Sequence, residues 1–142
     1  MKKKCLIVVM LLVVIMTATM LTACNTNKMS LGFMESVDGN VEYVKVDITD
    51  YEGKSLKELL QGEKSLGAVV DDDWGVLEIK GLKVDQTKNW ICTFTSDESK
   101  KSTYDGAKTI CKGDVTYYES GVGIADLIVS KDAKYLFVLI EI

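Results

Sequence analysis

The sequence contains no histidine and no arginine among its 142 residues. Without histidine the chain lacks the commonest general base and the commonest metal ligand of proteins. Without arginine it cannot hold a phosphate or a carboxylate through a bidentate guanidinium. A Gly-x-Ser-x-Gly motif is absent, and Gly121-Val122-Gly123 lacks the third glycine and the lysine of a phosphate-binding loop. These absences favour a protein that is not an enzyme.

Positive charge is scarce beyond the first residues. All 21 acidic residues lie after Cys24, whereas three of the 17 lysines lie before it, so residues 24–142 carry a net charge of −7. An acidic surface of this kind disfavours nucleic acid as a partner, and it disfavours electrostatic docking on anionic lipid.

The first 24 residues have the layout of a secretory signal, with a basic start at Lys2–Lys4 and an apolar run at Cys5–Met16. A retained transmembrane anchor is the alternative, because a spanning helix needs about 20 apolar residues and the run approaches that length. The end of the segment, Leu21-Thr22-Ala23-Cys24, resembles the lipobox of bacterial lipoproteins. The resemblance implies that residues 1–23 are removed and that Cys24 carries the lipid. Residues 24–142 are then expected on the extracellular face of the cell membrane.

The rest of the chain divides into a short tether and one domain. Residues 24–31 are mostly polar and are predicted to be the tether, and residues 32–142 are long enough for a single core. Outside the cytoplasm the two cysteines of this domain, Cys92 and Cys111, are expected to form a disulfide. Two free thiols or one reactive cysteine are the alternatives.

Alternating apolar residues predict strands, and one capped segment predicts a helix. A hairpin is expected from Phe33–Val37 and Val41–Thr49 around a turn at Asp38-Gly39-Asn40. Ser55 and Glu58 form a capping box for a short helix that ends at Gly62.

Further strands are expected around Val76–Leu82, at Trp90–Thr95, at Thr109–Tyr118 and at Lys134–Ile142. The last is apolar on both faces and should lie inside a sheet. The expected fold class is α+β: a β-grasp-like mixed sheet of four to six strands with one short helix on one face.

The order of these elements resembles a family of bacterial surface domains of unknown function, which is similar to the C-terminal domain of the cobalamin carriers transcobalamin and intrinsic factor. The resemblance covers residues 40–142. The segments that carry it are Ser55–Leu60, Trp74–Leu82, Asn89–Phe94, Gly121–Asp126 and Tyr135–Val138.

Two loops depart from the pattern of that family. Ser96-Asp97 stands where the family has Asn-Gly, and an insertion follows that extends to Glu119. Lys131-Asp132-Ala133-Lys134 stands where the family has Asp-Gly-Asp. Because these loops would form a binding edge, the departures bear on the identity of the ligand more than on the fold.

Aromatic and acidic residues supply the candidate ligand contacts. Trp74 and Trp90, with Tyr117 and Tyr118, could form an aromatic platform for a flat or sugar-like ligand. The alternation of Trp90 with Cys92 favours the core for Trp90, which leaves Trp74, Tyr117 and Tyr118 as the predicted contact residues. The carboxylates of Asp71–Asp73, with Glu78, could offer oxygens to Ca²⁺, but their spacing does not match a calcium loop, so a solvated turn is favoured and no metal site is predicted.

The sequence supports two functional hypotheses. The first is a lipid-anchored extracellular domain that captures a small molecule, with a cobalamin-like cofactor implied by the resemblance, and passes it to a transporter. The second is a surface interaction or adhesion module that docks on another cell-surface protein through the inserted loop.

Overall fold

The last strand, β9 (Tyr135–Glu141), lies inside the larger of two sheets, as its apolar character on both faces predicts. In the computed structural model, which describes residues 27–142, β9 pairs with β1 on one side and with β6 on the other. The pairing with β1 is parallel and the pairing with β6 is antiparallel, so the sheet is mixed.

Nine strands and one α-helix make up the described chain. The six-stranded sheet has the order β2-β1-β9-β6-β8-β7, and the three-stranded sheet has the order β3-β4-β5. The other elements are β1 (Lys28–Met34), β2 (Glu42–Asp47), α1 (Leu56–Gly62), β3 (Val69–Asp71), β4 (Gly75–Ile79), β5 (Leu82–Lys83), β6 (Asn89–Thr95), β7 (Thr109–Lys112) and β8 (Val115–Glu119).

The predicted hairpin at the start of the domain is present, but its first strand begins earlier than expected. β1 starts at Lys28, and Met29 and Leu31 are fully buried. The prediction that residues 24–31 form a tether is therefore wrong for residues 28–31. Lys28 and Ser30 alternate with these buried apolar residues, which is the pattern of a half-buried strand, and the tether prediction counted their polarity without this alternation.

The predicted helix forms with its capping box. The Ser55 hydroxyl accepts a hydrogen bond from the Glu58 amide at 3.2 Å, and the Glu58 carboxylate accepts one from the Ser55 amide at 3.0 Å. Leu56, Leu59 and Leu60 are buried against the large sheet. Burial of a leucine of this kind is worth roughly 2–5 kcal/mol, measured as the cost of its truncation to alanine. The α+β class with a helix packed on a sheet is confirmed.

The large sheet has a hydrophobic core on each face. On the first face, Leu31 and Phe137 pack with α1 and with Ile79 of the small sheet. On the second face, Phe94 and Leu136 pack with residues of the β7–β8 hairpin. Both faces of β9 are therefore removed from water.

The second face is covered because the sheet curls. Lys112 Nζ of β7 donates a hydrogen bond to the Gly39 carbonyl at 3.0 Å, which joins one edge of the sheet to the turn of the first hairpin. Tyr117 of β8 is 3% exposed, and burial raises its pKa, with a further contribution from its hydrogen bond with Tyr43 of β2. Strand twist of the usual hand accumulates over six strands and brings these distant residues together.

The prediction of one strand over Thr109–Tyr118 is wrong, because β7 and β8 are two antiparallel strands joined at Gly113 and Asp114. Gly113 has φ +59°, a conformation that glycine adopts without strain.

Among residues 27–142, no helix has the length and apolar content needed to cross a membrane.

Replacing Gly32 with alanine is expected to lower the free energy of unfolding by about 1–3 kcal/mol, because overpacking a filled core is costly. The added methyl group would overlap the Leu136 side chain and lie 2.9 Å from Val41. Urea unfolding measures the change. Gly123→Ala is the matched control, since a methyl group at that position meets no atom within 4 Å. Equal stability of Gly32→Ala and the unaltered protein would contradict the packing described.

Candidate functional site

A groove opens at the end of the large sheet where β6 finishes and β9 begins. We call it the end groove; it has a volume of about 350 Å³. Its lining combines apolar and polar residues. The apolar ones are Leu127, Ile128, Ala133 and Tyr135, and the polar ones are Thr95, Ser96, Asp97, Lys100, Ser130 and Asp132.

Hydrogen bonds fix the two loops that build the end groove. The Tyr135 hydroxyl donates to the Ile128 carbonyl at 2.6 Å, and the Ser96 amide donates to the Lys134 carbonyl at 3.1 Å. The Asp97 carboxylate accepts bonds from the Ser99 amide at 3.0 Å and from the Ser99 hydroxyl at 2.6 Å. Burial, followed by the nearby Asp97 charge, raises the pKa of Tyr135 to about 12, so the phenol remains neutral.

The end groove has the chemistry of a small-molecule site. Ligand pockets combine an apolar lining with a few polar groups, and their volumes start at about 300 Å³. Ile128 is 51% exposed at the groove, which leaves a large apolar side chain open to a ligand. A second hollow of about 370 Å³ shares Ser96 and Asp132 with the groove, so a longer molecule could extend past these two residues.

A different cavity lies under the loop that follows the 3₁₀ turn Glu98–Lys100. We call it the insert cavity; it is lined by residues 101–109 together with Tyr118 and Glu119, and its volume is about 460 Å³. No residue of the end groove lines it.

Glu119 holds the loop of the insert cavity in place. Its backbone carbonyl accepts a bond from the Ser102 amide at 2.8 Å, and its amide donates to the Lys108 carbonyl at 3.0 Å. Its carboxylate accepts a bond from the Lys108 amide at 2.9 Å and another from the Tyr104 hydroxyl. The hydrogen bond with Glu119, followed by burial, raises the pKa of Tyr104 to about 12, so this phenol also stays protonated.

The three aromatic residues predicted to contact a ligand do not lie together. Trp74 is 68% exposed in the turn between β3 and β4, away from both cavities. Tyr117 is buried in the second core. Tyr118, its neighbour on β8, lines the insert cavity instead. The prediction that these residues form one aromatic surface is therefore wrong. Tyr117 and Tyr118 are neighbours on β8, and neighbouring side chains of a strand point to opposite faces of the sheet.

The prediction that Trp90 lies in the core is also wrong. The strand alternation is present, with Cys92 partly buried and Phe94 fully buried on the same face. Trp90 is nevertheless 51% exposed, because it sits near the start of β6, beyond the end of the neighbouring strand β8.

The acidic segment Asp71–Asp73 forms the solvated turn that its spacing favours. The Asp71 carboxylate accepts bonds from the amides of Asp73 and Trp74, each at 2.9 Å. Asp72 forms an ion pair with Lys57 at 2.6 Å. Within residues 27–142, no group of three histidine, cysteine, aspartate or glutamate residues is arranged to hold a metal ion.

Cys92 and Cys111 are both free thiols, so the structure lacks the predicted disulfide. Phe94 pairs with Glu119, and Cys111 pairs with Thr116 two strands from β6. This register separates the two cysteines by roughly 15–20 Å, from the standard rise and strand spacing. A disulfide needs Cα atoms within about 7 Å. The side chains also point to opposite faces, since Cys92 joins the second core while Cys111 is exposed.

Sequence reasoning did not identify three residues that line the two cavities: Ile128, Tyr104 and Glu119. Ile128 and Tyr104 carried no periodic signal because both lie in loops. Glu119 was read only as the end of an insertion, and its bond with Tyr104 joins residues that become neighbours after the β7–β8 hairpin forms. Cys24 lies outside the described residues.

No protein-family model matches this chain, and neither a curated protein nor a solved structure matches it significantly.

Alkylation of the thiols at pH 8 is expected to modify Cys111 at least about tenfold faster than Cys92, since only thiolates react. Burial, followed by the Glu119 charge, raises the pKa of Cys92 to about 11. Because protons leave this thiol only at high pH, its thiolate is rare at pH 8. Mass-mapped peptides measure both rates, and denaturant should make them equal. A peptide linked through Cys92 and Cys111 would contradict the register.

Proposed function

We propose that this protein is a lipid-anchored extracellular domain that binds a small molecule in the end groove without transforming it. The observation that carries the proposal is the groove itself, which combines the exposed apolar side chain of Ile128 with polar lining residues that include Ser96 and Asp132. A ligand with an apolar body and hydrogen-bonding edges matches this lining.

The resemblance to the cobalamin-carrier domains makes a cobalamin-like cofactor the first ligand to test. The lining of the end groove includes four positions at which the sequence departs from that family: Ser96, Asp97, Asp132 and Ala133. Its volume of about 350 Å³ would hold one edge of such a molecule. In the carriers this domain is one of two halves around the ligand. A transporter component that covers the exposed part would then complete the site.

We also propose that the fold is of the β-grasp type. The topology β2-β1-β9-β6, with β9 parallel to β1 and antiparallel to β6, supports this classification. The helix α1 follows the first hairpin and packs on the sheet, as the β-grasp arrangement requires. In this view the β7–β8 hairpin is an addition at one edge.

A surface interaction or adhesion module is the less supported alternative. Its expected epitope was an inserted loop closed by a bond between Cys92 and Cys111, and both thiols are free in the structure. A catalytic role has little support either. The sequence offers no histidine, and burial raises the pKa of Cys92 to about 11, which makes its thiol a poor nucleophile at neutral pH.

Ligand capture by the end groove is tested by thermal shift and calorimetry with cobalamin and a panel of other cofactors. A cofactor that binds should lose about tenfold in affinity in Ile128→Ser, because the variant removes the exposed apolar contact. Val69→Ser is the matched control, since Val69 is a similarly exposed β-branched residue outside the groove. Absence of binding by the whole panel, or equal loss in both variants, would refute capture by this groove.

Lipid attachment at Cys24 is tested by detergent phase partitioning of the protein from cells. The unaltered chain should enter the detergent phase, and Cys24→Ser should move to the aqueous phase or remain as uncleaved precursor. Cys111→Ser is the control, because Cys111 is an exposed cysteine of the folded domain. If Cys24→Ser partitioned like the unaltered chain at the cleaved size, the anchor would lie elsewhere.

A further inference from the structure

The insert cavity is an ordered feature of the surface and not an open loop. Glu119 binds the loop through its backbone and through its carboxylate. The Gly121 amide donates to the Lys100 carbonyl at 2.8 Å, which closes the base of the loop. Because these bonds hold the backbone of the loop, a ligand would not have to order it, and such preorganisation favours binding.

The cavity offers aromatic surface. Tyr104 is 55% exposed, and its hydroxyl is bound to Glu119. The hydrogen bond therefore holds the ring in one orientation while the ring remains exposed to solvent. Tyr118 forms another part of the lining, and the Lys101 ammonium lies 5.8 Å from the centre of its ring. A fixed aromatic ring with an exposed face can pack against the apolar face of a small ligand.

The polar groups of the cavity are numerous and their charges cancel. Lys101 and Lys108 bring two positive charges, and Asp105 and Glu119 bring two negative charges. Three aliphatic hydroxyl groups accompany them, from Ser102, Thr103 and Thr109, besides the phenols of the two tyrosines. Lys101 is also paired with the Glu98 carboxylate at 3.1 Å, beside the cavity, so neither a phosphate nor a polycation meets a strong excess of opposite charge here. A neutral molecule with many hydroxyl groups can use the donors and acceptors of the lining that are not already bonded.

We propose that the insert cavity binds a neutral saccharide. The apolar C–H face of a sugar ring would lie against Tyr104, and its hydroxyl groups would bond to the Glu119 carboxylate and the lysine ammonium groups. This site does not depend on the function proposed for the end groove, because the two cavities share no lining residue.

The experiment titrates the purified full chain with glucose, N-acetylglucosamine, maltose and cellobiose, and follows binding by calorimetry and by ligand-observed NMR. At least one sugar is expected to bind, and Tyr104→Ala should weaken it by at least about tenfold. Tyr104→Phe should weaken it less, because the ring remains while the bond to Glu119 is lost. Trp74→Ala is the matched control, since Trp74 is an exposed aromatic residue outside the cavity.

Several outcomes would overturn the proposal. They are the absence of binding by all four sugars, equal weakening by Trp74→Ala and Tyr104→Ala, or tighter binding of inorganic phosphate or spermidine than of any sugar. Loss of sugar binding in Ile128→Ser would move the site to the end groove and would also overturn it. Circular dichroism of each variant ensures that a loss of affinity is not a loss of folding.

Discussion

Burial of β9 on both faces is the constraint on which the rest of the structure depends. Its apolar side chains alternate so that Phe137 faces one side of the sheet and Leu136 and Val138 face the other. A strand of this kind cannot lie at an edge or under a single layer without exposing one set of side chains to water. The helix and the small sheet cover the first face. Within residues 27–142 no helix packs on the second face, and the curl of the sheet itself covers it.

The positions of both cavities follow from that arrangement. The loops before β9 and after β6 meet at one end of the central strands, and their backbones form the end groove over Tyr135. The β7–β8 hairpin that shields Leu136 must be connected to β6, and the connecting loop builds the insert cavity. The elements that complete the core are joined by loops, and the core fixes where these loops run. The side chains of the loops remain at the surface, where a ligand can reach them.

Much of the fold could be predicted because local sequence patterns determine several of its elements. The capping box at Ser55 and the alternation of β9 each depend on residues close in the chain. The distance between Cys92 and Cys111 could not be predicted, because it depends on the register of the three strands β6, β8 and β7. The exposure of Trp90 likewise depends on where β8 ends. The cavities were missed for the same reason, as their lining comes from loops without periodicity.

The parallel pairing of β1 with β9 has a consequence for how the chain folds. Leu31 pairs with Tyr135, so the first and last strands meet across about 100 residues of intervening chain, a separation that slows folding. The pairs that β9 makes with β1 and with β6 cannot form until β9 has been synthesised. Synthesis of the last strand is therefore the step that joins the β1–β2 hairpin to the β6–β8–β7 part of the large sheet.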